Sequence, residues 1–284
     1  MMLKSINHLY GIAAFVGTSI LVSSSALAAT FANSLSSASV FNFSHQPQQL
    51  GTSVNQLSQV LGSTTGTVAT TSVDAVFDDE GRTCADLQIA GSTCGANFSN
   101  SLAAGNQGRY FAQSQSQAGI NGLFFTVQQN ETFSFGLNAF LQIIAQATNP
   151  GQESAKSQGN ILFQIYDTTD ESQPPQLLDY LALFGAQTAQ ESQAGFGIQG
   201  TSAFNLTAPI IQTSNSLAVN GSFSRTFDRT TQLAFFEVKN NQAIVAVPEP
   251  SLVLPSGLLS ILLIRLTLRR TRRFSSKSDY LENH

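Results

Sequence analysis

The sequence predicts an all-β fold, an antiparallel β-sandwich of jelly-roll-like form. Three observations carry this expectation. Apolar and polar residues alternate with period two in many segments, turn-forming residues separate those segments, and no segment presents a persuasive helical stripe. Short strands and frequent turns around one core suit a sandwich better than a bundle. The chain has 284 residues, and the 219 from position 29 to 247 suffice for one core and one domain.

Residues 1–28 have the three parts of a secretory signal peptide. Lys4 supplies the positive region, Leu9 to Val22 the apolar stretch, and Ala26-Leu27-Ala28 a small-residue cleavage site. Export with a mature start at Ala29 is expected. Ala29 to Gln59 is rich in Ser, Gln and Asn with scattered Phe, and its pattern leaves open whether it forms a leading strand. Thr67 to Phe77 is β-branched and loosely alternating, a strand that runs into the acidic turn Asp78-Asp79-Glu80-Gly81. Cys84 and Cys94 follow. Two exported thiols ten positions apart are expected to pair as a disulfide, since a zinc site would need more Cys or His nearby. Closing so short a loop stabilises by about 2–3 kcal/mol.

Further on, Phe133, Phe135, Leu137 and Ala139 alternate with Ser134, Gly136 and Asn138, which is strand. The same period recurs at Ile161-Phe163-Ile165, Phe204-Leu206, Phe223-Arg225-Phe227 and Leu233-Phe235. Ala139 to Ala147 and Leu177 to Gly185 are apolar enough for helix, but the spacing of the neighbouring turns favours strands. Turns are expected at Gln129-Asn130-Glu131, Thr148-Asn149-Pro150-Gly151, Asp167 to Pro175, Asn220-Gly221 and Asn240-Asn241. Asn220-Gly221 in particular reads as the tight turn of a hairpin.

The last forty residues have their own order. Val247-Pro248-Glu249-Pro250-Ser251 cannot continue a strand or helix, because each Pro lacks an N–H and restrains its predecessor. Leu252 to Ile264 is apolar, and counting on to Leu268 gives seventeen residues, the lower end of the roughly 17–25 that span a bilayer. Arg265, Arg269, Arg270, Arg272 and Arg273 follow, and basic residues just past a span stay cytoplasmic. Pro255 and Arg265 interrupt the apolar run, and a polar tail, 274–284, follows the arginines.

This tail resembles the PEP-CTERM sorting signal of Gram-negative exported proteins, over residues 248–273. The matching residues are Pro248, Glu249 and Pro250, then the helix, then Arg269, Arg270, Arg272 and Arg273. The resemblance implies a membrane-embedded exosortase as partner, an inner-membrane-anchored precursor, and a processed product at the cell surface or outside. Ser222 to Val247 also looks like the end of such ectodomains. Its matching parts are Phe223-Ser224-Arg225-Thr226-Phe227, Thr231-Gln232-Leu233 and Glu237-Val238-Lys239.

Charge and residue counts bound the chemistry of residues 29–247. Six bases stand against fourteen acids, a net of −8, so nucleic acid is not an expected partner. His45 is the one histidine there, and no Gly-x-Ser-x-Gly accompanies it, so no catalytic residue is expected. Asp78, Asp79 and Glu80, with Asp74, are candidate Ca²⁺ ligands, because clustered carboxylates on a loop suit that ion. Asp167, Asp170 and Glu171 are a second such group. Neither has the Asp-x-Asp-x-Asp-Gly spacing, so the first expectation is no cofactor. With 21 Phe, five Tyr and no Trp, only Tyr110, Tyr166 and Tyr180 are singled out for stacking on a sugar. The expected function is that of a non-enzymatic surface or extracellular-matrix protein. The alternatives are a carbohydrate-binding module for exopolysaccharide, with or without Ca²⁺, and a glycan hydrolase working through acidic residues.

Overall fold

The computed structural model describes residues 30–48, 51–61, 66–78, 93–106 and 109–247. Every regular element among them is a β-strand. In chain order these are β1 (Thr30–Phe41), β2 (Thr52–Leu61), β3 (Val68–Asp78), β4 (Cys94–Gly105), β5 (Phe111–Val127) and β6 (Thr132–Ala147). They continue with β7 (Ser154–Asp167), β8 (Gln176–Thr188), β9 (Gly195–Gly200), β10 (Phe204–Gln212), β11 (Ser216–Thr226) and β12 (Thr231–Ala246). Two six-stranded antiparallel sheets result, ordered β10-β11-β6-β1-β4-β3 and β2-β5-β12-β7-β8-β9. They face each other with β4 over β5 and β12, β1 over β12 and β7, and β6 over β7 and β8.

The all-β expectation and the two sheets are therefore present. Ala139 to Ala147 lies in β6 and Leu177 to Gly185 in β8, as strands. The strands are long rather than short, reaching 17 residues in β5 and 16 in β6 and β12. Residues 1–28, where a signal peptide is expected, the tail from Pro248 onward, Asp79, Glu80 and Cys84 lie outside the described residues. Cys94 is buried at the head of β4.

Two expected turns are corrected. Asn220-Gly221 does not close a hairpin. β11 runs straight through it, with Asn220 opposite Asn138 on β6 and Thr207 on β10. Hydrogen-bonding partners on both sides hold these residues extended, which overrides their local turn preference. A Cβ on Gly221 would sit 2.8 Å from the Asn205 carbonyl oxygen, so the glycine serves close strand approach. Asn240-Asn241 is likewise inside β12, between β5 and β7. The turn at Gln129-Asn130-Glu131 is present, with Asn130 in the left-handed region at φ 65°.

The open question over Ala29 to Gln59 resolves into β1 and β2. β1 is central in its sheet and buried on both faces. Its outward Ser37 lies opposite Phe98 and Phe140, and its outward Asn33 opposite Leu102 and Ile144. Small residues between large flanking ones let a Ser-rich strand occupy the middle of a sheet. β2 is an edge strand, exposed along its whole length.

The core between the sheets has three zones, and β12 displays them in order. Its inward residues are Leu233 and Phe235, then Glu237, Lys239 and Asn241, then Ala243 and Val245, all buried. The first zone is aromatic: Phe125, Phe133, Phe135, Phe163, Phe223 and Phe235 are fully buried. Phe135 stacks on Phe223 at 5.2 Å and meets Phe235 edge-on at 5.2 Å. Burying each such ring contributes about 1.5–3 kcal/mol. The third zone is small, with Ala32, Ala103, Ala112, Ala145, Ala155, Ala243 and Val245 around Tyr110. β1, β4 and β5 repeat the sequence of zones, with Ser34 and Ser36, Ser99 and Ser101, and Ser114 and Ser116 in the middle.

Candidate functional site

The middle zone is the chemically distinctive part of the molecule. Period two places residues 235, 237, 239 and 241 of β12 on one face, so Glu237 and Lys239 enter the same interior as Phe235. Both charged side chains are fully buried. Lys239 Nζ donates to Glu237 Oε1 at 2.5 Å. From the facing sheet, Asn97 on β4 donates through Nδ2 to the other carboxylate oxygen, Glu237 Oε2. One carboxylate thus bridges an amine and a primary amide across the sandwich.

The surroundings of this trio are apolar. The cross-strand neighbours of Lys239 are Ala118 and Ile161, and those of Glu237 are Ile120 and Phe163. Asn97 lies between Ala38 on β1 and Ala75 on β3. Burial disfavours the ammonium and pushes Lys239 down to about 8, against the opposing pull of the Glu237 charge and hydrogen bond. Asn97 Oδ1 is buried with no hydrogen-bond partner. An orphaned buried acceptor costs about 1–3 kcal/mol, and burying an ion pair regains its desolvation cost only with full hydrogen bonding. The trio is therefore a poor solution for stability alone.

Beside it a hydroxyl and amide layer is well satisfied. Asn241 accepts from Ser34 Oγ at 2.7 Å and donates to Ser36 Oγ at 2.7 Å and to the Ser99 carbonyl at 2.8 Å. Ser116 Oγ on β5 meets Ser99 Oγ at 2.7 Å and Ser101 Oγ at 2.8 Å on β4. The contrast with Asn97 is local and sharp.

The residues singled out by the sequence fall elsewhere. His45 lies just past β1, where its Nε2 is 3.1 Å from Glu131 Oε2 and its Nδ1 is 2.8 Å from Ser44 Oγ. Ser44 is itself held to β6, donating its N–H to the Ser134 carbonyl and accepting the Ser134 N–H on Oγ. The arrangement clasps the segment after β1 to the turn before β6. Glu131 is held below the usual Glu value, first by the His45 hydrogen bond and then by the Gln128 N–H. Asp74 is exposed on β3, and Asp78 ends that strand.

The second acidic group is occupied by its own turn. Asp167 pairs with Arg229 at 3.0 Å and accepts the Thr169 N–H, while Asp170 accepts from Ser172. Among the described residues no three His, Cys, Asp or Glu side chains gather as a metal site would need. Tyr110 is corrected from candidate sugar platform to core: it is 4% exposed and donates to Thr30 Oγ1 at 2.6 Å. Tyr166 and Tyr180 are half-buried on β7 and β8, and Tyr166 meets Phe236 edge-on at 5.6 Å.

Sequence reading passed over Lys239 and Glu237 as interior groups although the signal was there. Leu233-x-Phe235-x-Glu237-x-Lys239 keeps one face without a break. Taking Asn240-Asn241 as a turn separated Asn241 from that face, which β12 carries unbroken to Val245. Asn97 carried no signal, since only the folded sandwich brings β4 over β12. No family model matches the chain, and no curated protein or solved structure matches it either.

Proposed function

We propose that this is an exported, non-enzymatic protein of the cell surface or extracellular matrix, a jelly-roll-like sandwich sorted through its C-terminal tail. The signal peptide at 1–28 exports it, and the apolar run after the proline hinge holds it in the inner membrane as a precursor. An exosortase then acts at Pro248-Glu249-Pro250, with Arg269, Arg270, Arg272 and Arg273 marking the cytoplasmic end. Cys84 and Cys94 form its disulfide. The observation that carries the reading is where the folded unit stops. β12 ends at Ala246, Val247 N–H donates to the Tyr110 carbonyl at 2.9 Å, and the compact unit closes at Val247, immediately before Pro248. A processing site abutting a finished domain leaves that domain intact when the tail is removed.

The test is the intact mass and C-terminal sequence of the protein recovered from its native host. A chain running from Ala29 to the vicinity of Pro248–Ser251 is the expected result. Retention of Arg269–Arg273 in the membrane fraction would overturn the processing step.

A second reading, binding of an exopolysaccharide, is favoured by one feature of the surface shared by β7 and β12. Tyr166 and Phe236 present an edge-to-face pair, with Gln164 Nε2 donating to the Tyr166 hydroxyl at 2.9 Å. Rings with an adjacent amide suit the apolar face and hydroxyls of a sugar. Loss of retention on an insoluble glycan column in Tyr166→Ala would support it, and unchanged retention would remove it.

A further inference from the structure

We propose that Lys239 and Asn97 become joined by an intramolecular amide bond, formed within the folded sandwich with Glu237 as the proton carrier. Three groups with the required chemistry meet here: an amine, a primary amide, and one carboxylate that hydrogen-bonds both. Glu237 and Lys239 are fully buried and Asn97 is 5% exposed, so water does not compete for the amide carbon. The walls are Ala38, Ala118, Ile120, Ile161 and Phe163, which favour neutral forms of the amine and acid over the ion pair. A lysine desolvated in such a pocket is an activated nucleophile. Its proton is held weakly enough for a neutral amine to be accessible near neutral pH. Asn97 Oδ1 has no partner to give up when the carbonyl is polarised.

The reaction balances without any further reactant. The Lys239 ammonium gives a proton to the Glu237 carboxylate, and the freed Nζ lone pair attacks Asn97 Cγ. The protonated carboxyl donates toward the developing negative charge on Oδ1, reached by rotation of the Asn97 amide, and so stabilises the tetrahedral intermediate. The Nζ–Cγ bond is complete when the Cγ–Nδ2 bond breaks, its electron pair leaving with nitrogen. Glu237 takes the second proton from Nζ and delivers protons to the departing nitrogen. One ammonium group and one primary amide give one secondary amide and one ammonium ion, with no change of oxidation state.

The bond would fasten β4 in one sheet to β12 in the other and close a chain loop from 97 to 239. β12 is the strand that leads to the proline hinge, so the fastened strand is the one that takes the load of any C-terminal attachment. Like a disulfide it would restrict the unfolded chain, and unlike one it resists reductants.

The test is a tryptic digest of the reduced, denatured full-length protein. Joined residues leave the segment 83–109 attached to the segment beginning at Thr230, with no cleavage after Lys239 and a mass about 17 Da below the sum, the ammonia lost. A linear peptide ending at Lys239 that accounts for all of the protein would overturn the proposal. Asn97→Ala should return the full linear mass and slower migration on a denaturing gel, because the closed loop is gone. Glu237→Ala should do the same. A cross-link persisting in Glu237→Ala would overturn the role given to that carboxylate, and the digest of the unaltered chain decides the bond whether or not either variant folds.

Discussion

Ser34 on β1 and Asn241 on β12 are 207 positions apart in the chain and joined by a 2.7 Å hydrogen bond through the middle of the sandwich. Asn241 uses both ends of its amide there, taking the Ser34 hydroxyl on Oδ1 and giving Nδ2 to Ser36 Oγ and the Ser99 carbonyl. A polar layer so fully satisfied fixes the lateral register of the two sheets. A one-residue slip of β12 would put its buried face in water.

Replacing Asn241 by Ala removes three buried hydrogen bonds and strands their partners. At roughly 1 kcal/mol each, with some relaxation, the expected loss is about 2–4 kcal/mol. Urea unfolding reads it as a lower midpoint with an unchanged slope. A loss below about 0.5 kcal/mol, the range of ordinary surface changes, would show that the layer contributes little.

Gly159 on β7 makes room for the same contact. A Cβ there would lie 2.5 Å from Asn241 Oδ1, 2.6 Å from Ser34 Oγ and 3.0 Å from Leu141 Cδ1. Gly159→Ala is therefore expected to destabilise by about 1–3 kcal/mol, the cost of overpacking a filled interior. In the double variant with Asn241→Ala the two costs should fall short of their sum, because the deleted amide frees the space.

Lys239 makes a prediction about alkaline pH. Its value falls from 10.5 to about 8 on folding because of burial. Between those values the unfolded chain binds the extra proton, so stability rises with pH across that window and is lowest below pH 8. Asn97→Ala keeps Lys239 as a free amine and should show the rise in its unfolding midpoint. The unaltered chain should not, since an amide nitrogen does not titrate. Equal slopes in both would mean Lys239 has the same state in each.

Glu131 makes the acidic counterpart. The His45 hydrogen bond and the Gln128 N–H hold its carboxyl below the ordinary 4.5. Their contribution is complete above that value and disappears as pH falls through the lowered one. The segment after β1 should then loosen, seen as faster amide exchange at Ser44 and His45 under acid conditions. Glu131→Gln should exchange fast at every pH, and a pH-independent protection in the unaltered chain would count against the clasp.

The sequence alone determined the alternation that makes strands and the acidic balance of residues 29–247, six bases against fourteen acids. Phe133 to Ala139, Ile161 to Ile165 and Thr67 to Phe77 read as strands because period two is a local property of side-chain direction. It determined the composition of the tail as well, with Pro248-Glu249-Pro250 ahead of the apolar run. Tertiary structure decided the rest. Asn220-Gly221 and Asn240-Asn241 look like turns until neighbours on both sides hold them extended, since ladder hydrogen bonds outweigh a turn preference of a fraction of a kcal/mol. The Ser-rich segment of β1 leaves its state open in sequence, and β4 and β6 decide it by enclosing it as a central strand. Above all, Glu237 and Asn97 stand 140 positions apart and meet only when two sheets close on each other. Alternation tells which side of a strand a residue takes, and the packing of sheets tells what it finds there.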